Sequence, residues 1–102
     1  MLTFLLVIED AETRTKLEQL YKLYHKEMYL VAYRILNNSQ DAQDVAHTSV
    51  IKLEKYLEKI QDIYCNKTQY LIVTIVRNTA IDLYRRKKRY LSAQLEDISD
   101  IV

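Results

Sequence analysis

The chain has 102 residues, of which 49% are hydrophobic and 28% charged, and its formal net charge is +1; this is enough for one globular domain and is not a disordered composition. It contains no glycine and no proline, which excludes phosphate-cradling glycine loops, dinucleotide-binding glycine fingerprints and nucleophile elbows, and leaves little from which to build β-hairpins. What remains is an all-α protein, with helices joined by short polar loops.

The N-terminal apolar run, residues 2–8 (LTFLLVI), has no basic lead-in and is followed at once by Glu9 and Asp10. It is too short to span a bilayer and lacks the layout of a signal peptide, so no membrane is expected as a partner. It reads as a short extra helix or strand docked on the core. The first long periodic segment follows, with Leu17, Leu20, Tyr21, Tyr24, Met28, Val31 and Ile35 mostly three or four apart on one helical stripe. Asn37, Asn38 and Ser39 interrupt it, polar residues suited to ending one helix and capping the next.

The second segment starts near Ser39 and is expected to run as one helix to about Ile60. At ~100° per residue, Ala42, Val45, Ala46, Ser49, Leu53, Tyr56, Leu57 and Ile60 fall on one line, the expected buried stripe. Ile51 lies opposite, flanked by Asp44, His47, Lys55 and Glu58. An apolar side chain centred on a polar face suggests a contact with a partner, although lone exposed aliphatics are also ordinary.

Residues 61–67 (QDIYCNK) break the period and read as a loop. The third helix is expected to begin at Asn66 or Thr68 and to continue to about Arg89. Its opening is β-branched, but Ile72, Ile75, Val76, Thr79 and Leu83 share one helical line. Opposite them lie Tyr70, Thr74, Arg77, Asn78, Ile81, Tyr84, Arg85 and Lys88, a mixture of guanidinium, amide, hydroxyl and aromatic groups. Such groups bind phosphates, read base edges and stack on unpaired bases. The last dozen residues are expected to form a short turn capped by Ser92.

The near-neutral total hides a concentrated charge. Residues 71–90 hold 6 basic and 1 acidic side chains, including the run RRKKR at 85–89, while residues 91–102 hold 3 acidic and no basic ones. A block of this kind fits phosphates or another acidic surface; cations also complement the C-terminal end of a helix. The single cysteine, Cys65, can form no intrachain disulfide, which points to a reducing cytoplasm with Cys65 as a small apolar filler. His25 and His47 are the only histidines and have no metal-binding spacing, so neither an enzyme nor a cofactor is expected.

The stretch IVRNTAIDLYRRKKR, residues 75–89, resembles the second conserved region of bacterial extracytoplasmic-function sigma factors. Upstream, LYHKEMYLVAYRILNNSQDAQDVAHTSVIKLEKYLEKI is similar to the paired helices that precede that region, so the likeness covers about residues 15–90. It departs at His47, Thr48 and Val50, where members often carry Gln and an acidic residue followed by an aromatic. The resemblance implies a compact bundle of three long helices with short extra helical segments at the termini. The domain would span residues 1–90, with 91–102 the acidic start of an interdomain linker and the second domain absent.

As partners the resemblance implies core RNA polymerase, through the clamp helices of its β′ subunit, and the non-template single strand of the promoter minus-ten element. An anti-sigma factor is a further candidate. Carried onto this chain, the polymerase-binding residues are Asp44, His47, Thr48, Ile51 and Lys55. The loop holding a flipped base contributes Tyr64, Asn66 and Lys67, and the rest of the DNA-binding set is Tyr70, Thr74, Arg77, Asn78, Ile81, Arg85, Arg86 and Lys88. The alternative is a helical interaction module that answers to an acidic protein partner without touching DNA.

Overall fold

The computed structural model describes residues 2–101, with side chains described through Leu95. Helix α1 spans Ala11–Leu36, α2 Ser39–Lys52 and α3 Asn66–Ile101, with 3-10 helices at Thr3–Val7 and Leu53–Lys59. Among the described residues all regular structure is helical, as the absence of turn-forming glycine and proline requires.

Short polar side chains set the helix boundaries. Asp10 caps α1, its carboxylate accepting the Thr13 N–H at 2.9 Å and the Thr13 hydroxyl at 2.6 Å. These bonds hold the Asp10 carboxyl below its usual range. Asn37 ends the helix in the left-handed conformation, at φ 50°, which asparagine tolerates better than most residues. Asn38 then caps α2 by accepting the Asp41 N–H at 2.9 Å. Two adjacent asparagines thus replace a glycine turn.

The order of contacts gives the topology. Tyr24 donates its hydroxyl to the Ile63 carbonyl, and the Gln69 amide donates to Glu27 at 3.0 Å, so α1 and α3 climb in step and are parallel. Lys52 donates to the Thr79 hydroxyl at 3.0 Å while Asp41 pairs with Lys87, so α2 runs antiparallel to α3. The result is an up-down-up bundle. Its core joins Leu17, Leu20, Tyr24, Met28 and Ala32 of α1, Ala42, Val45, Ala46 and Val50 of α2, and Ile72, Val76 and Ala80 of α3. Each large aliphatic buried there contributes roughly 1.5–3 kcal/mol.

The N-terminal run docks on the core as expected, as a 3-10 helix that buries Leu5 completely, with Ile8 buried just after it. Three expectations change. The second segment is not one α-helix: after Lys52 it tightens to 3-10, still burying Leu53, Leu57 and Ile60 but leaving Tyr56 only half-buried. The Lys16 ammonium donates to the Leu57 and Ile60 carbonyls at 3.3 and 3.1 Å, satisfying acceptors that a helix end leaves open. Second, the expected turn at Ser92 is absent, and α3 continues through it to Ile101. Leu91, Ala93, Gln94 and Leu95 are strong helix formers, and nothing there breaks the helix. Third, Ile51 does not stand clear of the protein but is half-buried and packs against the core. The N-terminal segment reaches α2 as well, where Phe4 stacks on His47.

Candidate functional site

Residues Tyr70 and Lys88 are 18 positions apart on one unbroken helix, about five full turns, so they share a face. Tyr70, Arg77, Asn78, Arg85, Arg86 and Lys88 are exposed on α3; Thr74 and Ile81 are half-buried. The helix forms here despite its β-branched opening because Ile72, Val76, Thr79 and Ala80 bury against the other two helices. Thr74 returns its hydroxyl to the Tyr70 carbonyl at 2.8 Å, which leaves its methyl and an oxygen lone pair for an incoming group.

The cationic run is not uniform. Lys87 turns inward to an ion pair with Asp41, and Arg86 pairs with Asp82 one turn earlier at 3.1 Å. Among the described residues, Arg85, Lys88 and Arg89 have no carboxylate partner. They line a shallow groove with Asp82 and Ser92. Phosphates approaching this end of α3 meet three unneutralised cations.

At the other end, Asn66 opens α3 and is exposed together with Lys67. Tyr64 and Tyr70 bracket this start, both 75% exposed and far from the buried role that most tyrosines in small cores take. The loop holding Tyr64 is fixed: Asp62 accepts the Tyr64 N–H at 2.9 Å through its side chain and the Thr68 hydroxyl at 2.6 Å through its carbonyl. Beside it lies a recess lined by Lys59, Ile60, Cys65, Lys67, Thr68 and Leu71. Cys65 is half-buried in its wall, its sulfur 3.4 Å from the Thr68 hydroxyl. Residue patterning reads Cys65 as filler and passes over Lys59 and Leu71, because a recess made by a loop folding over a helix start has no periodicity.

The expected α2 face is more divided. Asp44, Thr48 and Lys55 are exposed, and Asp44 accepts from the Gln40 amide at 3.1 Å. His47 is half-buried: its ring lies flat on Phe4, with centroids 4.1 Å apart and planes 11° apart, and 5.7 Å from Tyr21. The Gln43 side-chain nitrogen sits 3.0 Å from His47 Nε2. So α2 presents Asp44 and Thr48 as a polar edge, bordered by half-buried Ile51 and an aromatic stack, while Lys55 stands on the 3-10 helix that follows. Periodicity could not find Phe4, which lies outside any long helix.

A family model described as sigma-70 region 2 matches residues 20–90, from within α1 to the Tyr90 position of α3. No curated protein and no solved structure matches the chain.

Proposed function

Since the chain belongs to the sigma-70 region 2 family, whose role is RNA polymerase binding and promoter recognition, we propose that its α3 face captures the non-template strand of a promoter minus-ten element while its α2 edge holds the polymerase clamp. The exposed row on α3 carries this reading: an amide and a guanidinium at mid-helix, an aromatic at one end and open cations at the other. No catalytic group is needed. Unpairing a base costs a few kcal/mol; stacking on an aromatic returns roughly 1–3 kcal/mol per base.

In this reading the recess beside Tyr64, Asn66 and Lys67 receives an extruded base. Tyr70, Thr74, Arg77, Asn78 and Ile81 follow the adjoining bases, and Arg85, Arg86 and Lys88 hold the phosphates. Asp44, His47, Thr48, Ile51 and Lys55 meet the clamp helices of β′. The run IVRNTAIDLYRRKKR supports the extracytoplasmic-function subclass, in which an anti-sigma factor competes for these faces. Residues 1–90 form the working unit, with 91–102 as the acidic start of a linker.

The test is fluorescence anisotropy with a minus-ten-like single strand, a scrambled strand and a duplex across a salt series. The minus-ten-like strand is expected to bind most tightly at every salt concentration. Equal binding to all three would reduce α3 to a bare electrostatic surface and favour an acidic protein partner.

A further inference from the structure

Hydrogen bonds from two helices hold the recess at the start of α3 in one shape. From α1, the Tyr24 hydroxyl donates to the Ile63 carbonyl. Asp62 accepts the Thr68 hydroxyl through its carbonyl and the Tyr64 N–H through its side chain. The Gln69 N–H donates back to the Cys65 carbonyl at 3.2 Å. The lining divides by burial: Ile60 and Thr68 are buried and Cys65 and Leu71 half-buried, while Lys59, Gln61, Asp62 and Lys67 are exposed. The recess is therefore a fixed, mostly apolar floor with a polar rim.

Donors dominate that rim. Thr68 commits its only proton to the Asp62 carbonyl and brings no free donor. One carboxylate oxygen of Asp62 is already held by the Tyr64 N–H, and Gln61 offers donor and acceptor alike. Lys59 and Lys67 each carry an ammonium with three donors and no acceptor. Among the described residues no carboxylate pairs with either of them.

We propose that the recess selects an extruded base by its carbonyl oxygens, with Lys59 and Lys67 as the specificity-determining residues: guanine, cytosine and thymine are accepted and adenine is disfavoured. This rests on the reading of the recess as the receiver of a flipped base. Adenine is the one DNA base without a carbonyl, and its exocyclic amine adds a further donor where donors already prevail. Sites built to hydrogen-bond a group discriminate most strongly against the analogue that lacks it. Ile60 and Leu71 give any base the same apolar cover, so the choice is made at the rim.

The experiment measures binding of the full chain to strands that are abasic at every position but one. The single base is adenine, cytosine, guanine or thymine, and a fully abasic strand is the reference. The three carbonyl-bearing bases are expected to bind about fivefold or more tighter than adenine, as one hydrogen bond allows. Lys59→Gln and Lys67→Gln should each narrow that ratio, and Lys59→Arg, which keeps the donors, should preserve it. Both lysines are exposed, and circular dichroism checks that the variants stay folded. Single-base strands that bind no tighter than the abasic one would overturn base capture itself. Base-dependent binding in which adenine equals or exceeds the others would leave capture standing and overturn the selection. An equal loss on all five strands in both glutamine variants would make the lysines holders of phosphate, and the selection would fall with them.

Discussion

Lys87, in the middle of the cationic run of α3, is ion-paired with Asp41 in the first turn of α2, 46 residues away in sequence. One cation of the run thus serves the bundle, and its neighbours remain outside. Asp41 is the more buried partner, with its side chain 17% exposed, and it lies where the α2 dipole also favours an anion.

This pairing predicts that two adjacent lysines differ in function. Lys88→Gln should lower single-strand affinity and reduce the slope of log affinity against log salt by about 0.7, the value expected when one phosphate fewer is neutralised. Lys87→Gln should leave that slope nearly unchanged and instead lower stability by up to about 1 kcal/mol. Anisotropy over a salt series and urea denaturation separate the two. Equal slopes for both variants would contradict the division.

Asn78 and Lys88 should separate along another axis. An amide can read a base edge, whereas an ammonium at the end of the helix finds phosphate on any sequence. Asn78→Ala is therefore expected to narrow the affinity ratio between minus-ten-like and scrambled strands. Lys88→Ala should weaken both by a similar factor. If both changes act alike, Asn78 does not read bases.

Much of this is legible in the sequence, and the exceptions have physical reasons. The stripes through Leu20, Met28, Val45 and Val76 are core residues because a 3.6-residue period can be read without knowing the partner helix. Asn37 and Asn38 mark the α1–α2 turn because few other residues could make it. A helical wheel leaves Val50 off the buried stripe and Ile51 on the wet side, because a wheel drawn for one helix does not contain the tertiary packing that buries Val50 and half-buries Ile51. Ser92 resembles a cap because serine favours that position, yet the surrounding residues favour continuation. Which lysine of the run turns inward depends on the long-range placement of Asp41, which no local pattern contains.

The core offers a contrast between two buried positions. Leu20 is fully buried, and Leu20→Ala should cost about 2–5 kcal/mol. Ser49 is equally buried, but its hydroxyl finds no partner among the described residues. Removing an unsatisfied polar atom is close to neutral or favourable, so Ser49→Ala is expected to unfold at the same or higher urea concentration. A clear drop in the stability of Ser49→Ala would mean that the hydroxyl is satisfied in solution.

Tyr24 gives the protein an alkaline limit. Burial pushes its phenol pKa up, with the nearby Glu27 adding to the effect, so the folded chain keeps the proton longer than the unfolded chain. Its contribution is full below about pH 10, where a free tyrosine ionises, and is lost as pH rises beyond that. Tyr24→Phe should flatten this alkaline decline. At neutral pH it should cost about 1 kcal/mol by removing the hydrogen bond to the Ile63 carbonyl. Thermal melts from pH 7 to 11 test both arms.

The continuity of α3 from Asn66 through Ser92 and beyond turns the helix into a gauge. At 1.5 Å per residue, Tyr70 and Lys88 are held about 27 Å apart, and Asn78 and Lys88 about 15 Å. With no hinge between them, a strand gripped at one end can be registered at the other only by a fixed number of nucleotides. A single residue inserted after Ala80 would rotate every downstream cation by about 100° and lengthen the scale by only 1.5 Å. The spacing would be almost intact and the alignment gone.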